Sequence, residues 1–171
     1  LRLVPGLHVA QLDSNKWAVS ARGFGSRFSN KLLVMVDGRS VYSPLFSGVF
    51  WDLVNVPLDS IERIEVVRGP GATMWGANAV NGVINVVSKQ VKTTQGVLFA
   101  ASGGGMDPAR ASLRYGGKLG PTAAWRTWIH HEVNGQGRAR QPQPPLGVWN
   151  TSRVGMRLDW QPGARDELEV Q

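Results

Sequence analysis

The 171-residue chain has no cysteine, which excludes a disulfide scaffold, a thiol nucleophile and any cysteine-ligated zinc or iron–sulfur site. It also lacks a long hydrophobic run. The longest unbroken apolar stretches, such as Leu32 to Val36, are about five residues, far below the ~20 needed by a membrane-spanning helix. Histidine is scarce: besides His8 there is only the adjacent pair His130 and His131, which a strand would point to opposite faces, a poor geometry for shared metal ligation. Neither a G-x-S-x-G nucleophile elbow nor an H-E-x-x-H helix is present. The carboxylates Asp13, Asp37, Asp52, Asp59, Glu62 and Glu65 have neither D-x-D nor calcium-loop spacing. An enzymatic reading therefore has no nucleophile, acid–base pair or metal cluster to stand on, and no metal or cofactor is expected.

The chain is rich in turns, with 21 glycines and 10 prolines. The glycines of Arg68 to Gly82 (RGPGATMWGANAVNG) invite a phosphate-loop reading, but Ala77 stands where G-x-x-x-x-G-K-[ST] needs lysine. G-x-G-x-x-G breaks at Met74, so these glycines read as tight turns and close packing. The net charge of +7 is spread evenly, with 10 Lys+Arg against 6 Asp+Glu in residues 1–93 and 9 against 6 afterwards. No basic stripe with interleaved aromatics marks a nucleic-acid surface, and no nucleic-acid partner is expected. The chain has no initiator methionine or signal-peptide core and stops within an alternating pattern, so it reads as a segment of something larger.

Two halves have different patterning. Residues 1–92 alternate short β-branched runs with Gly, Asn and Pro. Lys31 to Val36 (KLLVMV) reads as a buried strand, followed by an Asp37-Gly38 hairpin turn and a second strand over Arg39 to Tyr42. A short helix is expected over Asn55 to Ile61, feeding a strand at Arg63 to Arg68, with another helical turn at Ala77 to Val80 and a buried strand at Val83 to Val87. From about Thr93 the period becomes two. Over Ala109–Leu119, Ala123–Val133 and Ser152–Trp160, one face carries 13 apolar residues in 17 positions and the other 2 in 14. The polar face holds Arg110, Arg114, Lys118, Arg126, His130, Glu132, Arg153, Arg157 and Asp159. The apolar face holds Leu113, Tyr115, Trp125, Ile129, Met156, Leu158 and Trp160.

Alternation alone fits a soluble sheet with one face on a core as well as a membrane barrel wall. The connections add a second signal: Gly120 to Thr122 and Gln161 to Asp166 are short, while Asn134 to Thr151 is long and rich in Gly, Pro and Gln. Short turns at one end and long loops at the other are a barrel's pattern, with Tyr115, Trp125 and Trp160 as girdle aromatics.

Five motifs in order carry a resemblance. They are Leu3 to Val9 (LVPGLHV), Ser20 to Phe24 (SARGF), Leu33 to Gly38 (LVMVDG), Ile61 to Pro70 (IERIEVVRGP) and Trp75 to Val86 (WGANAVNGVINV). Together they resemble the TonB-dependent outer-membrane receptor family. The resemblance implies an α+β plug domain over residues 1–92, a small mixed sheet with short helices. It implies that residues 93–171 are the first antiparallel strands of a 22-stranded transmembrane β-barrel, truncated after four strands and the start of a fifth, with strand one near Gln95 to Gly104. It further implies a Gram-negative outer-membrane importer, with the plug inside the barrel and accessible from the periplasm. Its partners would be outer-membrane lipid, TonB through a region upstream of this chain, and a ferric siderophore or similar small ligand. Cobalamin, a sugar or another metal chelate is the alternative cargo, and a soluble periplasmic β-rich binding module is the rival from another class. By the same resemblance the plug arginines Arg22 and Arg68 pair with barrel glutamates. Ligand contacts fall to the outward plug loops, at Asn15, Lys16, Trp17, Tyr42, Phe46 and Phe50, with Trp51 expected to pack into the plug core.

Overall fold

A computed structural model describes residues 1–12, 16–22, 28–54, 56–104, 109–134, 149–163 and 166–171. The chain divides into two compact units, Leu1–Ser88 and Lys89–Gln171.

In the first unit, β1 (Leu7–Gln11) and β2 (Trp17–Ala21) form an antiparallel hairpin. A four-stranded mixed sheet contains β3 (Leu32–Val36), β4 (Arg39–Ser40), β5 (Ile61–Arg68) and β6 (Gly82–Ser88), in the order β4-β3-β6-β5. The central pair β3 and β6 is parallel, from Leu32 opposite Gly82 to Val36 opposite Val86. Every residue of β3 is buried, as an unbroken apolar run demands of a strand covered on both faces. On one side Leu32, Val34 and Ile84 pack with Val19, Ala21 and Val49; on the other Leu33, Met35 and Val83 pack with Ala79. Asp37 and Gly38 both take positive φ, 48° and 77°, the signature of the type I′ turn expected of Asp-Gly.

The helices are sparser than expected. In place of a helix over Asn55 to Ile61 there is a single 3₁₀ turn, Leu58–Ser60, because Pro57 precedes it and the sheet already claims Ile61; Asn55 lies outside the described residues. The helical turn expected at Ala77 to Val80 lies earlier, as α1 (Ala72–Trp75), with Gly71 at its N-cap after Arg-Gly-Pro. Residues 77–80 are instead a turn that drops Ala79 into the core, where its carbonyl accepts the Gly71 N–H at 2.8 Å.

The second unit is a five-stranded antiparallel sheet of β7 (Gly96–Ser102), β8 (Ala109–Leu119), β9 (Ala123–Asn134), β10 (Trp149–Trp160) and β11 (Leu168–Val170), paired in chain order. β10 starts three residues before the expected Ser152, because Asn150 and Thr151 hide the alternation there. The Asn134 to Thr151 connection lies mostly outside the described residues.

The burial of this sheet is inverted relative to a water-soluble one. Arg126, His130, Arg157 and Asp159 are buried, while Val97, Phe99, Leu113, Tyr115, Val154, Met156 and Trp160 are exposed. The unit's own first residues account for part of this. Arg126 Nη1 donates to the Lys89 carbonyl at 2.6 Å, the Val91 N–H donates to Asp159 at 3.2 Å, and Lys92 Nζ reaches Gln161 at 2.5 Å. Residues 89–94 are thereby fastened to the polar face. Arg157 completes the cluster by pairing with Asp159 at 2.7 Å and Glu169 at 2.8 Å. The exposed face has its own order: Trp125 lies against Gly117 on β8 and meets Tyr115 edge-on at 5.3 Å. On the polar face the Trp128 indole covers Gly155, where a Cβ would come within 2.4 Å of the ring, so only glycine admits it.

Candidate functional site

The two arginines singled out in the sequence, Arg22 and Arg68, line one cavity of about 380 Å³ in the first unit. Arg22 ends the β2 hairpin in the left-handed region (φ 57°), and its Nη2 lies 3.6 Å from where a Cβ on Gly69 would sit. Arg68 closes β5 and donates one long hydrogen bond, 3.4 Å, to the Pro5 carbonyl. Among the described residues neither is in an ion pair. The Gly23 and Phe24 of the R-G-F turn lie outside the described residues.

Of the expected ligand residues, Phe46 and Phe50 come together. Their rings meet edge-on at 5.0 Å, and a third ring, Phe28, stacks on Phe46 at 5.7 Å and meets Phe50 edge-on at 4.9 Å. The loop that carries Phe46 is pinched by reciprocal backbone bonds between Ser43 and Gly48. Gly48 is required there, since a Cβ would sit 2.6 Å from that of Phe28. Leu45 and Phe46 project from the pinched tip, 86% and 55% exposed. Phe28 was not foreseen: it lies outside any local motif, and only the folded backbone brings it beside Gly48.

The remaining positions are distributed differently. Tyr42 is half-buried, its N–H on Ser40 Oγ at 3.3 Å, and it is in none of the ring contacts. The Lys16 carbonyl closes the first hairpin by accepting the Leu12 N–H at 2.8 Å. Beside it the Trp17 ring carries the Arg2 guanidinium 5.0 Å above its centre, a cation–π contact. Asn15 lies outside the described residues. Trp51 packs against the Val19–Ile84 core cluster, as expected.

The motif polar residues hold the sheet together. Asp37 accepts the Ser88 N–H at 2.7 Å and the Ser88 hydroxyl at 2.8 Å, tying the hairpin turn to the end of β6. Glu65 accepts from Arg63 at 2.7 Å and from Asn85 at 3.1 Å. The bond from Arg63, then that from Asn85, holds the Glu65 carboxyl below the usual carboxylate range, and the Arg63 guanidinium is pushed up by the same pairing. His130 and His131 do point to opposite faces: His130 is buried 3.7 Å from Glu132, while His131 is exposed and shares a 2.8 Å hydrogen bond with Ser152. Among the described residues no three His, Asp or Glu side chains gather as a metal site.

A sheet whose strands expose large apolar residues while its middle strands β9 and β10 bury Arg126, Arg157 and Asp159 is the wall of a membrane β-barrel, since lipid reverses the soluble pattern. With the mixed-sheet unit before it, the class is an outer-membrane barrel protein with an N-terminal plug. Residues 1–83 match the model of the TonB-dependent Receptor Plug Domain, and the chain belongs to the TonB-dependent receptors. It is 29% identical over 159 residues to the vitamin B12 transporter BtuB of Vibrio cholerae, covering 93% of this chain and 25% of that protein. It is 34% identical over 103 residues to the ferric enterobactin receptor of Pseudomonas aeruginosa, covering 53% of this chain and 13% of that one. Among solved structures, the pyoverdine outer membrane receptor FpvA of Pseudomonas aeruginosa shares the fold over 98% of this chain and 23% of its own, with TM-score 0.69 and 20% identity. The chain thus spans a quarter or less of the length of these relatives.

Proposed function

We propose that the whole protein is a ligand-gated importer in the outer membrane of a Gram-negative bacterium, energised through TonB. Residues 1–92 are its plug and residues 93–171 the first strands of a 22-stranded barrel. The observation that carries this reading is the inverted burial centred on β9 and β10, where Arg126, Arg157 and Asp159 are buried: a soluble periplasmic binding module would bury Val154, Met156 and Phe99, and here they are exposed. The plug is reached from the periplasm, and TonB binds a region upstream of it. Arg22 and Arg68 hold the plug by pairing with barrel glutamates.

The cargo of this reading is a ferric siderophore or a comparable iron chelate. Supporting it is the exposed Phe46 ring, backed by the half-buried Phe28 and Phe50 rings, an aromatic platform for a bulky chelate. The remaining ligand residues of this reading are Asn15, Lys16, Trp17 and Tyr42. Cobalamin is the second reading, favoured by the match to a vitamin B12 transporter over nearly the whole chain.

The test is growth of a receptor-deletion strain carrying the full-length gene, supplied in parallel with ferric siderophores, cobalamin and other chelates, with and without TonB. Rescue by one iron chelate only when TonB is present is expected. Rescue by cobalamin alone would select the second reading. Correct membrane insertion with no rescue by any ligand would overturn the importer.

A further inference from the structure

The division between the two units falls between Ser88 and Lys89, and the residues on either side of it have different partners. Ser88 ends β6, its N–H and hydroxyl both donating to Asp37. Residues 89–94 lie instead against three strands of the second sheet. The Lys89 carbonyl accepts from Arg126 on β9 at 2.6 Å, and the Val91 N–H donates to Asp159 on β10 at 3.2 Å. The Thr94 carbonyl rests on Gly116 of β8, where a Cβ would come within 2.4 Å of its oxygen. The segment is also folded on itself by a 3₁₀ turn over Val91–Thr93. The Thr94 N–H and hydroxyl donate to the Val91 carbonyl at 3.0 and 3.1 Å, and the Gln95 side-chain amide reaches the same oxygen at 2.7 Å. Val91, Thr94, Arg126 and Asp159 are all buried. A chain that merely connects two units runs over the surface in water. This one is dry, and it is held by a buried cation at a carbonyl and a buried anion at an N–H, the strong class of hydrogen bond.

We propose that residues 89–94 are a mechanical anchor, with Arg126 and Asp159 as its positioning residues. When the plug is displaced, the displacement ends at the Ser88–Lys89 bond, and residues 89–94 stay on the wall as the fixed point from which the plug reseats. This rests on the reading of the first half of the chain as a plug moved through TonB from upstream. It sets the mechanical end of that plug at Ser88, inside the 1–92 span. Force applied upstream passes along the chain in series. The last plug strand it meets is β6, bonded by β3 on one edge and β5 on the other, and the anchor comes next. Arg157, 2.7 Å from Asp159, keeps that carboxylate aimed at the Val91 N–H. Peeling the segment away would strand Arg126 and Asp159 without acceptor and donor in a buried site, which is why the anchor outlasts the plug.

The test is amide hydrogen exchange of the full-length receptor in outer-membrane vesicles, with urea raised until residues 82–88 exchange while heat-modifiable migration shows the barrel still folded. The N–H groups of Val91, Thr93 and Thr94 should then exchange at least about tenfold more slowly than those of residues 82–88, in step with β8 to β10. Arg126→Gln combined with Asp159→Ala should bring them to the rate of residues 82–88. Asp159→Asn alone, which keeps an acceptor for the Val91 N–H, should retain most of the protection. Gly116→Ala, which touches neither charge, should weaken it by pushing the Thr94 carbonyl off β8. Pulling the receptor from its N-terminal end with an atomic-force tip gives the mechanical readout: freeing residues 89–95 should delay tension on the barrel by about 25 Å of extension in the double variant. Val91, Thr93 and Thr94 exchanging together with residues 82–88 in the unmodified receptor, or equal extension in both proteins, would overturn the anchor and leave the plug reading standing. Residues 82–88 opening only together with β8 to β10 would overturn both. Should the double variant lose its barrel, the unmodified receptor and Gly116→Ala still decide.

Discussion

Met156 offers the sharpest test of the barrel wall. It sits on the exposed face of β10, 56% exposed, opposite Thr127 and four residues before Trp160. At ~3.3 Å per residue that is ~13 Å along the strand, and with a strand tilt near 40° it becomes ~10 Å of depth above the Trp160 row. With Trp160 as a girdle residue at one edge of an apolar band ~25 Å tall, Met156 falls within ~3 Å of the midplane. Met156→Arg should therefore destabilise the full-length receptor by ~2–4 kcal/mol. Val154, two residues on and 72% exposed, lies a similar distance beyond the midplane and should respond alike. Asn150 projects from the same face near the far edge of the band, where Asn150→Arg should cost only ~0–1 kcal/mol. Denaturant titration of receptor folded into lipid vesicles, followed by tryptophan fluorescence, measures all three. A flat profile, or a neutral Met156→Arg, would show that this face does not meet lipid.

Three further outcomes are expected. Gly48→Ala places a methyl 2.6 Å from the Phe28 Cβ, so it should cost ~1–3 kcal/mol by overpacking and weaken cargo binding as the phenylalanine cluster is displaced, measurable by thermal unfolding and ligand titration. The Glu65 carboxyl is held low by Arg63 and Asn85, so its contribution to stability is present above the ordinary carboxylate range and is lost as pH falls through the lowered folded value. Glu65→Gln should accordingly flatten the acid limb of plug unfolding, and an unchanged limb would refute the role. Asp159→Ala removes a carboxylate from buried Arg157 and the acceptor of the Val91 N–H, and should cost ~3 kcal/mol, with hydrogen exchange rising over residues 91–93.

Sequence by itself determined the parts whose physics is local or periodic. An unbroken apolar run made β3 a strand buried on both faces, Asp37-Gly38 supplied a turn that needs positive φ twice, and the parity of β8, β9 and β10 sorted their side chains into two opposed sets. Parity cannot say which set is covered, because a soluble sheet and a lipid-facing one share the same period; the burial of Arg126, Arg157 and Asp159 decided it. The helices were misplaced for a related reason. Residues 55–61 and 77–80 carry cap-like and helix-compatible residues, but Ile61 was already committed to β5 and Ala79 to the core, so tertiary demands overrode local preference. In the candidate sites, motif order brought Arg22 and Arg68 into view and the plug-loop resemblance added Phe46 and Phe50, yet Phe28 left no local trace. It takes its place against Gly48, twenty residues on in the chain, and such a meeting is written only in the folded backbone.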